Sequence, residues 1–206
     1  MLYYCWNGSD VGEGTMASQA RQALTPAEYL ALERGAAVRS EYLDGTVVAM
    51  TGASRAHNLL VVNLGRELSL QLRGHPCETY TSDMRVRIPT HNVYTYPDVV
   101  VACGEPRFED TAVDTLLNPT LITEVFSDST ERYDRGKKFA YYRSLPSLGE
   151  YLLVAQDEYR IDYYRREADG RWVIGDARGR DATLDLVVGG CTLLLADVYE
   201  RVTLPD

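Results

Sequence analysis

Two carboxylates stand where carboxylates are costly. Asp98 opens the run Asp-Val-Val-Val-Ala, and Glu124 lies inside Leu-Ile-Thr-Glu-Val-Phe, two segments whose apolar character otherwise reads as strand buried on both faces. Taking a lone carboxylate out of water costs several kcal/mol, so each needs a partner cation, a metal or a hydrogen-bond network. Two such acids brought together repel, and a divalent ion relieves both penalties at once. An all-oxygen ligand set favours Mg²⁺ or Mn²⁺ over zinc. Structural readings stay open beside this one. An aspartate after Pro97 can simply form a turn, and Glu124 could pair with Arg85 or Arg87 as a salt bridge.

Competing chemistries lose ground by absence. The chain has no GxxxxGK(S/T) phosphate loop, no GxGxxG, no HExxH and no GxSxG. His57, His75 and His91 are its only histidines, at spacings that suit no helical metal pair. Cys5, Cys77, Cys103 and Cys191 are widely separated without a CxxC, which excludes a zinc ribbon or finger and points to structural thiols in a reducing compartment. A sugar hydrolase using Asp98 and Glu124 as acid and base is disfavoured because Trp6 and Trp172 are the only tryptophans available to line a cleft.

The elements that must hold these acids follow from periodicity. Thr25-Pro26-Ala27-Glu28 is a capping box with proline at the first helical position, predicting a short helix through Tyr29, Leu30 and Leu32 to Gly35. Ser40 to Met50 reads as two short strands around an Asp44-Gly45 turn. Ala56, Leu60, Leu64, Leu68 and Leu72 recur at helical spacing, with Gly74 as a stop. Glu78–Ser82 and Met84–Ile88 are expected to pair as strands. Ser129 or Thr130 is expected to cap a helix carrying Lys137, Lys138, Phe139, Tyr141 and Tyr142 and stopping near Pro146. Strands return at Glu150–Ala155, Tyr159–Arg165 and Trp172–Ile174, the last two joined at Asp169-Gly170. The loop from Cys103 to Pro119 is the expected mobile insertion beside a site.

The 206 residues carry a formal net charge of -9, are 45% hydrophobic, and can bury a core without staples. The longest apolar stretch, Leu184 to Val198, is interrupted by Asp185 and Asp197 and is too short to cross a bilayer. No signal-like segment opens the chain, so the expected location is the cytoplasm. Residues 1–24 lack periodicity, and Met16 offers a second start; they read as a disordered or mis-assigned extension before a single domain, 25–206. The acidic total argues mildly against nucleic-acid binding. Charge is nevertheless segregated: Arg132, Arg135, Lys137, Lys138 and Arg143 outnumber Asp128, Glu131 and Asp134, whereas Glu105, Glu109, Asp110 and Asp114 face only Arg107.

Tyr96-Pro97-Asp98-Val99-Val100-Val101, Pro119-Thr120-Leu121-Ile122-Thr123-Glu124-Val125-Phe126-Ser127, Ser129-Thr130 and Asp134-Arg135-Gly136-Lys137-Lys138-Phe139 with Tyr142 together resemble the Uma2 family of restriction-endonuclease-like proteins. Glu41-Tyr42-Leu43-Asp44-Gly45, His57-Asn58 and Pro146-Ser147-Leu148 leading into Glu150-Tyr151-Leu152-Leu153-Val154 fit the same family, so the resemblance covers roughly residues 24 to 175. It implies an α+β (mixed α/β) restriction-endonuclease-like fold of the PD-(D/E)xK type, a central mixed β-sheet flanked by helices. Asp98 would take the aspartate of the PD element and Glu124 the acid of the next strand. The pattern's lysine, two residues after that acid, is replaced here by Phe126.

On that resemblance the lysine role passes to Lys138, with Lys137 a basic neighbour. Glu41 matches the family's upstream acid, and Asp134 would aim Lys138 or support the site from behind. His57 could hydrogen-bond into the site or simply pack. The implied activity is Mg²⁺- or Mn²⁺-dependent endonuclease cleavage of DNA, with the ion held by Asp98, Glu124, the Val125 carbonyl and Glu41, and Lys138 acting on the attacking water as donor or, if its pKa is depressed, as base. A homodimer would join two basic flanks. The alternative is a non-catalytic binding module in which Phe126 marks lost chemistry.

Overall fold

The structure, a computed structural model, describes residues 23–50 and 52–205. Residues 1–22 of the expected N-terminal extension, with the Met16 start, lie outside the described residues, whereas Leu24 is bonded to Gly45 and Tyr42 and belongs to the domain.

Helix α1 (Pro26–Glu33) begins at the expected capping box, with Thr25 and Glu28 bonding reciprocally. Strands β1 (Ser40–Leu43) and β2 (Thr46–Ala49) form a hairpin whose two loop residues, Asp44 and Gly45, both have positive φ, as a tight twisted turn requires. Helix α2 (Arg55–Gln71) starts at Ser54, whose hydroxyl accepts from the His57 amide, and buries Leu60, Leu64 and Leu68 completely. Then come β3 (Cys77–Thr81), β4 (Arg85–Ile88), β5 (Val93–Thr95), β6 (Val99–Cys103), β7 (Thr115–Leu116) and β8 (Leu121–Phe126). Helix α3 runs through Glu131–Tyr133, Asp134–Lys138 and Phe139–Tyr142, its middle segment a π-turn. Strands β9 (Glu150–Ala155), β10 (Arg160–Arg166), β11 (Trp172–Arg178), β12 (Thr183–Asp185) and β13 (Thr192–Leu194) complete the order, before a short final helix, Leu195–Val198.

A six-stranded mixed sheet, ordered β11-β10-β9-β8-β6-β3, is the centre of the fold. Its inner strands alternate between two cores because successive side chains point to opposite faces. Val99, Val101, Leu121, Val125, Leu152 and Val154 pack under α2 and the C-terminal elements. Val100, Ala102, Ile122, Phe126, Tyr151, Leu153 and Ala155 face the other way, onto a second sheet, β2-β1-β5-β4-β7, and the end of α3. Glu124 shares the parity of Ile122 and Phe126, so its carboxylate is carried to that second face.

Several expectations change. β3 and β4 do not pair with each other: β3 lies along β6, while β4 joins β5 and β7 in the second sheet. The Cys103–Pro119 loop contains β7 and is tied down by Arg34, which pairs with Asp110 at 2.7 Å and Asp114 at 2.8 Å, and none of its residues borders the cleft described below. Cys77 and Cys103 are direct cross-strand partners and form a disulfide, which overturns the expectation of free thiols and removes the cysteine grounds for a reducing compartment. Cys191 is a buried free thiol. The apolar stretch Leu184–Val198 supplies β12, β13 and the final helix, which close the core beneath α2. Among the described residues no helix is long and apolar enough to cross a membrane.

Candidate active site

Asp98 precedes β6 by one residue, and the antiparallel register of β6 with β8 ends at Val99 opposite Thr123. One step further along that register sets Asp98 opposite Glu124. Like charges facing each other across a strand pair are destabilising, so this placement calls for compensation. Part of it comes from the backbone: the Val125 amide donates to Asp98 Oδ2 at 2.8 Å. His57 Nε2, from the first turn of α2, stands 3.0 Å from Asp98 Oδ1.

Glu124 meets Lys138, whose Nζ lies 3.0 Å from its Oε1. Lys138 also approaches Glu41 of β1 and Asp134 of α3, each at 3.6 Å. The π-turn contributes here: it spans Asp134–Lys138 and buries both of its end residues, and such turns are frequent at functional sites. Tyr142, one turn beyond Lys138, donates its hydroxyl to Glu124 Oε1 at 2.7 Å. Tyr151 donates to the Asp134 carbonyl at 3.1 Å, fixing the helix over the sheet.

These groups surround one cleft of about 640 Å³, which Glu41, His57, Asp98, Glu124, Val125, Asp134 and Lys138 all line. Seven of the eight residues singled out in the sequence thus converge. Lys137 does not: it is exposed on the outer side of α3, over the Tyr141 ring. Nor does Glu124 pair with Arg85 or Arg87, which go instead to Asp114 and Glu109. The expected basic flank thins as well, because Arg135 is taken up by Glu131 and Asp162 and Lys138 by the acid cluster. Thr130 caps no helix by its side chain; its hydroxyl accepts from the Ser127 amide at 3.1 Å.

Three buried carboxylates share one lysine with a fourth, Asp98, close by, and the proton equilibria follow. Burial pushes the Glu124 carboxyl up to about 8, against the pull of Lys138 and with help from the charges of Asp98 and Asp134. Burial would depress Lys138, but Glu124, Glu41 and Asp134 outweigh it and hold the ammonium well above its ordinary value. Both partners rise together because the pair sits in a surplus of negative charge. Asp134 is raised too, chiefly by burial.

The donors suit a hard divalent cation. All are oxygens, and the uncompensated negative charge is what such an ion would neutralise. Among the described residues no three His, Cys, Asp or Glu side chains form a ready cage. Two carboxylates with a backbone carbonyl leave positions to water and phosphate, as magnesium commonly does. Tyr142 is the contact that the sequence reading left without a role. Its signal was present: Asp134, Lys138 and Tyr142 recur at intervals of four and share one helix face.

The Uma2 family model, described as a putative restriction endonuclease, matches residues 26–196. Two proteins of Synechocystis sp. PCC 6803 are similar over most of their lengths. Uncharacterized protein sll1609 is 39% identical over 82% of this chain and 96% of its own. Uncharacterized protein slr1290 is 39% identical over 85% of this chain and 91% of its own. The fold is shared with a crystal structure described as a putative nuclease belonging to DUF820 from Anabaena variabilis ATCC 29413. That likeness has a TM-score of 0.72 at 17% identity and covers 87% of this chain and 99% of the other.

Proposed function

The chain belongs to the Uma2 family of putative restriction endonucleases, and from that premise we propose that it is a metal-dependent endonuclease hydrolysing phosphodiester bonds in DNA. One observation carries the proposal: Asp98, Glu124 and Lys138, from three elements far apart in sequence, meet in a single cleft with the lysine 3.0 Å from Glu124. Asp98, Glu124, the Val125 carbonyl and Glu41 would hold Mg²⁺ or Mn²⁺. Such an ion polarises a phosphodiester oxygen and makes water a competent nucleophile near neutral pH.

The protein's own groups do the rest. Lys138 is kept charged by the acids around it, so it serves as a donor, orienting the attacking water and meeting the negative charge that grows on the phosphoryl oxygens. A role as base would need a depressed pKa, opposite to the direction its neighbours impose. Asp134, 3.6 Å from Nζ, is a positioning residue for that lysine, and Tyr142 fixes the orientation of the Glu124 carboxylate. Two copies placed side by side would add the exposed Arg132 and Lys137 of each α3 to the phosphate contacts.

Incubation of the purified protein with plasmid DNA and Mg²⁺ or Mn²⁺ tests the proposal. Asp98→Ala and Glu124→Ala are each expected to lower the cleavage rate by about 10²-fold or more. Variants that cut as fast as the unaltered protein would overturn it. A non-catalytic module has one observation in its favour: Phe126, in the slot of the usual lysine, is buried with Arg135 and Arg160 guanidiniums about its ring. Folded protein that binds no Mn²⁺ in a calorimeter would select that reading.

A further inference from the structure

The two walls of the cleft differ in kind. The groups proposed to react lie deep on one side, Glu124 only 4% exposed and Asp98 and Lys138 9% each. The rest of the lining mixes apolar residues, Val48 and Ala49 of β2, Met50 beyond it and Val61 of α2, with polar ones such as Ser54 and Gln156. All four residues of β2 are exposed, and Val48 is 44% exposed, so this apolar surface is open to an occupant. Tyr133 of α3, half-buried, borders the acidic side.

Charge decides what that occupant can be. Among the described residues no arginine lines the cleft; its one lysine already serves three carboxylates, and its remaining ionisable base is His57. A duplex is gripped mainly through its phosphates by Lys and Arg, and this cleft offers no such row. Its volume of about 640 Å³ falls in the range that encloses one small ligand, not a double helix. The scissile phosphate must reach a buried floor, and a flexible unpaired strand can turn one nucleotide inward where a stiff duplex resists bending. Bases of a single strand are met by apolar and aromatic faces, which Val48, Val61 and Tyr133 supply.

We infer that the cleft takes an unpaired strand: the nucleotide beside the scissile phosphate enters singly, with its base against Val48 and Val61 and its phosphate turned to the ion that Asp98 and Glu124 would hold. The inference rests on the nuclease reading and names the form of its substrate.

Three labelled oligonucleotides of one sequence test it in the presence of Mn²⁺: single-stranded, fully paired, and paired with an unpaired flap. The single strand and the flap are expected to be cut at least about tenfold faster than the full duplex, with the flap cut in or beside its unpaired part. Val48→Ser should raise KM for the single strand several-fold with kcat little changed, while the calorimetric affinity for Mn²⁺ stays where it was. A duplex cut as fast as the single strand, or a KM untouched by Val48→Ser, overturns the inference and leaves the nuclease reading standing. If none of the three is cut, both fall together.

Discussion

Two buried ionic clusters lie on either side of β1, and they are built on opposite rules. In the first, Glu33 accepts from the Ser40 amide at 2.9 Å and from the Tyr96 hydroxyl at 3.0 Å. Arg85 donates to that same hydroxyl, to Thr115 and to Asp114, and Arg34 closes the set by reaching Asp114 and Asp110. Each buried charge has its counter-charge or a full set of hydrogen bonds. The Arg34 guanidinium accordingly holds the Asp114 carboxyl well below the usual range. In the second cluster Glu41, Glu124 and Asp134 share Lys138 beside a further acid, Asp98, and burial drives Glu124 the other way. The first cluster stabilises the fold. The second stores an excess of acid groups, which a proton on Glu124 or a bound cation would settle, and electrostatics of this kind gather at functional sites.

The contrast is most sharply broken at Arg85, whose side chain is 3% exposed. Arg85→Ala takes the buried donor from the Tyr96 and Thr115 hydroxyls, leaves Asp114 with Arg34 alone, and is expected to cost about 3 kcal/mol in urea unfolding. A loss no larger than that of a surface substitution would mean the first cluster is not structural. Its pH dependence has a definite sign. Asp114 has a lowered folded pKa, so its contribution is present above its unfolded pKa of roughly 4 and disappears as pH falls through the folded value.

Glu124→Gln should act in the opposite direction. A carboxyl whose folded pKa is raised contributes stability below its unfolded pKa and loses it as pH climbs through about 8. Metal-free Glu124→Gln protein is therefore expected to be more stable than the unaltered chain above pH 8, on the order of 2 kcal/mol by thermal melting, with the difference vanishing toward pH 4. Equal melting temperatures across that range would show that the acid surplus is already compensated. The smallest effect is expected from His57→Ala. Asp98 would keep the Val125 amide but lose its second anchor, and Mn²⁺ affinity measured by calorimetry should fall about tenfold. An unchanged affinity would reduce His57 to a residue of the first helical turn.

Much of the architecture was legible because it is local. The capping box at Thr25, the Asp44-Gly45 turn, the leucine spacing of α2 and the two acid-bearing apolar runs each specify backbone geometry over a few residues. The acids themselves were legible as anomalies of burial. What escaped was partnership. Alternation in β3 and β4 reports a strand but not its neighbour, and the short connection between them suggested a hairpin that the two sheets do not contain. The disulfide escaped for the same reason, since Cys77 and Cys103 become neighbours only once β3 lies on β6. Composition could not say which lysine of the Lys137-Lys138 pair turns inward; the helix phase over the sheet sets that.

By itself, then, the sequence determined the menu of elements and which of their side chains could not comfortably be buried alone, because φ/ψ preference, capping and periodicity act within a few residues. Tertiary structure alone decided that Asp98 faces Glu124, that Lys138 lies between Glu124, Glu41 and Asp134, and that Phe126 is packed among arginines away from the lysine's role. Those outcomes depend on strand register and helix placement, which are set by the summed burial of two cores and not by any one segment's own preference.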